Sequence, residues 1–163
     1  MSLLSKIMSW VVKVEKTLIG ICLFLATAVI MLNVVGRRIG AAPQWGEEAV
    51  RYLMIWITFI GSGICFRRSS HYGIDVIRRV NNKIFQKFIT IFVIIACGVF
   101  AGMLLFFGGK YTAFTMASNQ MTAALRWPIW LVYISVPIGG GLIILHLLEV
   151  FLSEVLGVYT IQE

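Results

Sequence analysis

The chain has 163 residues, 60% of them hydrophobic and only 13% charged, with a net charge of +7. A soluble domain usually carries about 25% charged residues, and here the apolar residues fall in long blocks, so the sequence reads as an all-α integral membrane protein. The positive charge does not point to nucleic acid: the basic residues flank the apolar blocks, where anionic lipid attracts them, and no soluble basic reading surface is visible.

The first element is the segment 1–16. Lys6, Lys13 and Lys16 recur with Ser9, while Leu3, Ile7, Trp10 and Val14 form an opposite apolar stripe. This pattern predicts a basic amphipathic helix lying on the membrane surface. The first span, 17–35, has Asn33 as its one strongly polar residue. It exceeds the roughly 7–15 residues of a signal-peptide core and ends at Arg37-Arg38, so it reads as a retained anchor.

The second span, 49–66, opens on Trp45, Glu47, Glu48, Arg51, Tyr52 and Trp56. Acid before base at a spacing of four predicts a Glu47–Arg51 pair. Glu48, turned about 100° away, is then expected to face a partner subunit. Trp45 and Tyr52 suit an interfacial belt. Further along, Thr58, Gly61, Ser62 and Cys65 supply small residues for helix packing. His71 and Asp75 follow in a basic loop. In the segment 77–88, Ile77, Val80, Ile84 and Phe88 make an apolar stripe beside Arg78, Arg79, Lys83 and Lys87. That predicts a second interfacial helix.

The third span, 88–109, carries a GxxxG pair, Gly98 and Gly102. The fourth, 128–152, opens on Pro128, and Pro137 with the glycines after it predicts a kink. Four blocks of this length each cross a bilayer core of roughly 30 Å as a helix. The N-terminal segment and the second loop hold most of the lysine and arginine, which places both termini in the cytoplasm. Cys22, Cys65 and Cys97 fall inside spans as reduced packing thiols.

No nucleophile–base spacing, phosphate loop or HExxH occurs, so no catalytic residue, metal or cofactor is expected. The central stretches 23–30, 56–61, 97–102 and 136–142 contain no ionisable group apart from cysteine. Pumps and ion carriers usually place such groups there. Two other readings stay open: a haem- or quinone-binding anchor using His71 and His146 as facing ligands, and a stand-alone small exporter. His146 and Glu149, at i and i+3, also resemble half of a metal site.

The longer stretch WGEEAVRYLMIWITFIGSGICFRRSSHYGID, 45–75, resembles the small membrane subunit of tripartite ATP-independent periplasmic (TRAP) transporters, the DctQ-like family. The likeness rests on the tryptophan, the paired acids, Arg-Tyr-Leu, Phe-x-Gly and the His-x-x-x-Asp after a basic exit. ALRWPIWLVYISVPIGG, 124–140, resembles the family's proline-led fourth span, with Pro128, Trp130, Tyr133, Pro137 and Gly139. Arg126-Trp127 departs from the smaller residues commoner there. The resemblance implies a multi-pass inner-membrane protein of bacteria or archaea. A large partner subunit would carry the substrate and sodium. A periplasmic binding protein would deliver a carboxylate-bearing substrate such as a C4-dicarboxylate or sialic acid. The chain itself would be a scaffold, with Glu47, Glu48 and Arg51 at the periplasmic rim and His71 with Asp75 ordering the cytoplasmic turn.

Overall fold

The computed structural model describes the backbone of residues 3–77 and 83–154, and the side chains of 7–66, 88–89 and 91–152. The described residues are helical apart from short connections. The elements are α1 (Leu3–Arg38), α2 (Gly46–Ile77), α3 (Lys83–Ala117), α4 (Trp130–Tyr133) and α5 (Ser135–Glu154). Four stretches within them are long and apolar enough to cross a membrane: Ile7–Arg38, Gly46–Phe66, Ile91–Ala117 and Trp130–Leu152.

The N-terminal segment is not a separate surface helix. It runs without a break into the first span as one helix of 36 residues, about 54 Å long. Nothing at the junction stops it: no glycine or proline intervenes, and the Thr17 hydroxyl donates back to the Lys13 carbonyl at 2.9 Å. The face turned inward is Met8, Val12 and Glu15, whereas Ile7, Trp10 and Val14 are exposed. The expected apolar stripe therefore faces away from the chain, and Lys13 and Lys16 are exposed with it. The expected second interfacial segment is divided: Ile77 closes α2, Lys83 opens α3, and residues 78–82, with Arg78 and Arg79, lie outside the described residues.

Helix α1 packs on α2, α2 on α5, and α5 on α3. The last helix is thus internal, and the core of Ala101, Ile143 and Leu147, with Phe66, Cys97, Leu104 and Ile144 around it, forms along it. Two consecutive glycines make this possible. A Cβ on Gly139 would stand 2.8 Å from the Phe59 carbonyl oxygen of α2; one on Gly140 would stand 3.0 Å from backbone atoms of Ala101 and Leu105 in α3. Lipid tails supply no hydrophobic drive between helices, so such backbone approach, with its dense van der Waals contact, is a main source of attraction.

The expected break in the fourth span lies at Ile134, between α4 and α5. Pro137 has no N–H for the Tyr133 carbonyl, and its ring crowds that position. Ile134 keeps right-handed helical angles (φ −63°, ψ −20°), and the Ile138 N–H still reaches its carbonyl at 3.2 Å. The backbone at Ile134 therefore stays helical.

The GxxxG pair does not serve this packing. A Cβ on Gly98 or Gly102 would meet nothing within 4 Å. Of the second-span stripe, Gly61 faces Ile19 of α1, while Thr58 and Ser62 donate to carbonyls of their own helix, Met54 and Phe59. The outward faces of α1 and α3, including Phe24, Met31, Phe92 and Phe106, remain exposed and apolar.

Candidate functional site

Two polar nodes stand out, one at each end of the spans. At the first, the α1–α2 turn meets the loop that precedes α4. Helix α1 ends on Arg37 and Arg38, and α2 begins with Glu47 and Glu48. Each pair suits the dipole of its own helix end. Gly40, at φ +71°, takes the left-handed conformation that lets the chain reverse. The Ala41 N–H then returns to the Gly36 carbonyl at 2.8 Å, as in a Schellman-type stop. The reversal brings Gly46 against the buried Asn33 side chain, where no Cβ would fit.

In this arrangement Glu47 pairs with Arg37, across the turn, and not with Arg51 as its spacing predicted. Both partners are 65% exposed. Arg51 points outward and is exposed. Helix spacing ranks only neighbours on one helix; it is silent on a cation brought in by a reversing chain.

Glu48 differs still more from expectation. Its Oε1 accepts from the Tyr52 hydroxyl at 2.5 Å and the Ala123 N–H at 3.1 Å. Its Oε2 accepts from the Ala124 and Leu125 N–H groups at 2.7 and 2.9 Å. The carboxylate that was expected to meet another subunit instead holds a loop of its own chain. That loop is a tight hairpin. The Thr122 N–H donates to the Trp127 carbonyl at 2.8 Å, and the Trp127 N–H to the Thr122 hydroxyl at 3.0 Å. Arg126 sits at φ +52°. The unusual Arg126-Trp127 thus belongs to the turn, and Trp127 is exposed.

Of the remaining candidates at this end, Trp45 is exposed and Trp56 half-buried. In the fourth-span motif, the Tyr133 ring packs edge-on against Tyr111 of α3, with centroids 4.7 Å apart. Pro137 abuts Gly108. Pro128 pairs with Met121 across the hairpin, and Trp130, half-buried, opens α4. These residues join α3 to the fourth span.

The second node lies where the start of α1 meets the end of α5. Glu15 is 3% exposed, His146 0% and Glu149 3%. His146 Nε2 stands 3.1 Å from both carboxylate oxygens of Glu15. Its Nδ1 faces Glu149 Oε2 at 3.6 Å. A Cβ on Gly63 of α2 would come within 3.2 Å of the ring, so this glycine admits the contact. Glu15 was not among the sequence candidates. It lies between Lys13 and Lys16 in a segment read for its cations, and its partner is 131 residues away.

The same geometry bears on the haem and metal readings. Both ring nitrogens of His146 face carboxylates, which leaves none for an axial bond to iron. Among the described residues no group of three or more His, Cys, Asp or Glu side chains could hold a metal ion. His71 and Asp75 lie on α2, but their side chains, like those of Lys6, Lys83 and Lys87, are outside the described residues. The three cysteines are free.

Fold and site together define a multi-pass membrane protein whose described polar groups hold helices and loops to one another. The family model for the DctQ component of tripartite ATP-independent periplasmic transporters matches residues 26–157. The chain belongs to this family of transporter permease subunits. It is 26% identical over 106 residues to the C4-dicarboxylate TRAP transporter small permease protein DctQ of Rhodobacter capsulatus, a match covering 65% of this chain and 47% of that protein. It is 25% identical over 115 residues to the isethionate TRAP transporter permease protein DctMQ of Oleidesulfovibrio alaskensis, covering 71% of this chain and 18% of that one. The chain thus spans about half the length of the first relative and under a fifth of the second.

Proposed function

We propose that this chain is the small scaffold subunit of a sodium-coupled TRAP transporter that imports a carboxylate- or sulfonate-bearing substrate delivered by a periplasmic binding protein. The sulfonate extends the sequence expectation and rests on the isethionate relative. The carrying observation is the family match over residues 26–157. It is supported by central span stretches without ionisable groups apart from cysteine, as expected of a subunit that leaves the substrate path to another chain. The relative whose name joins M and Q leaves most of its length beyond this match, consistent with a large membrane partner. The exposed apolar faces of α1 and α3 are available to that partner and to lipid. On this reading the chain is N-in and C-in in a bacterial or archaeal inner membrane, and the exposed Lys13 and Lys16 meet anionic phospholipid at its cytoplasmic face.

Co-expression tests the assembly. The chain, tagged, is purified in mild detergent with an untagged large subunit from the same transporter. Co-purification in a fixed ratio is expected; a large subunit that elutes alone and still transports at the full rate contradicts the scaffold role.

A further inference from the structure

The node at Glu15, His146 and Glu149 is used by none of the foregoing. A carboxylate only accepts hydrogen bonds, so Nε2, set 3.1 Å from both oxygens of Glu15, carries a proton. A neutral imidazole has one N–H and one lone pair. With its proton on Nε2, the Nδ1 lone pair would then point at Glu149 Oε2, 3.6 Å away, with the His146 side chain 0% and that of Glu149 2% exposed. Two acceptors facing each other out of water repel, and the low local dielectric strengthens the conflict. One additional proton on Nδ1 turns repulsion into attraction.

We propose that Glu15, His146 and Glu149 form a proton-holding site inside the membrane domain, in which a doubly protonated His146 is clamped between a carboxylate of α1 and one of α5. Among the described residues, these two carboxylates are the titratable groups facing the ring. Helix α2 contributes Gly63, whose missing side chain leaves room for the ring and for Glu15. Helix α3 meets α5 on another side, through Ala101, Ile143 and Leu147. The clamp joins the first helix to the last through a charged group, where the other described contacts of α5 are chiefly apolar.

The test is the protonation state of the ring, read by nitrogen NMR on the full chain with 15N-labelled histidine in phospholipid nanodiscs. The chain has two histidines, so His146→Gln assigns the signal by subtraction, and His71→Gln assigns it independently should the first variant not fold. At about pH 7.5, where a free imidazole is mostly neutral, both nitrogens of His146 are expected to carry protons. In Glu149→Gln the new amide N–H can donate to Nδ1, and a single proton on Nε2 is expected. A wild-type His146 with one protonated nitrogen overturns the proposal. So does a Glu149→Gln ring that stays doubly protonated, because the second carboxylate would then have no part in holding the proton.

Discussion

Glu48 accepts from one hydroxyl and three consecutive backbone N–H groups, and so ties residues 123–125 to the start of α2. Glu48→Ala should therefore raise amide hydrogen exchange at Ala123, Ala124 and Leu125 by about tenfold or more, with little change in the spans. Unchanged exchange there would show that the hairpin holds itself through Thr122 and Trp127. Glu47 behaves otherwise, because its pair with Arg37 is mostly in solvent. Arg37→Ala and Glu47→Ala should each shift stability by less than about 1 kcal/mol, and a thermal melt in detergent suffices to check this. The acidic pair at a helix start was legible in the sequence; the contact of Glu48 with Tyr52, at i and i+4, was not among its expectations, since Glu48 was assigned to a partner subunit. The partners ten, 75 and 131 residues away were not legible, because helical spacing carries no information on which chain segments a turn or a bundle will bring together.

Between elements, the glycines divide by what stands opposite. Gly139 and Gly140 face the backbones of α2 and α3, whereas Gly98 and Gly102 face nothing in the chain. Gly140→Leu should separate α5 from α3 and cost about 1–3 kcal/mol or more in the isolated subunit, while Gly98→Leu should be nearly neutral there. Equal losses would contradict the packing. The Glu15–His146 contact should show strong coupling in a double-mutant cycle of Glu15→Ala and His146→Ala. Each single change leaves a buried polar group unpaired, at about 3 kcal/mol, and the double change should cost well under the sum of the two. That four helices are long and apolar enough to span was readable from hydrophobic length alone. Facing was not: in lipid both the packed and the outward face of a helix are apolar, so the stripe Ile7, Trp10 and Val14 gave no sign that it would point away from the chain.

For the whole molecule, membrane class and span number follow from sequence because the bilayer imposes them; family membership was readable from motifs gathered at the two ends of the spans. The arrangement with α5 innermost is a property of close backbone contacts, and no local pattern announces it. Replacing Lys6, Lys13, Lys16, Arg78, Arg79, Lys83 and Lys87 by glutamine should lower incorporation into anionic liposomes more than into neutral ones, since each cation near such a surface contributes up to about 1 kcal/mol. Equal loss in both lipids would remove the lipid-anchoring role. The scaffold reading itself is tested by sodium-driven uptake of labelled substrate into proteoliposomes that hold this chain alone, or this chain with its large subunit, each with the binding protein supplied. Uptake by the pair and none by the lone chain is the predicted result; robust sodium-dependent uptake by the lone chain would contradict it.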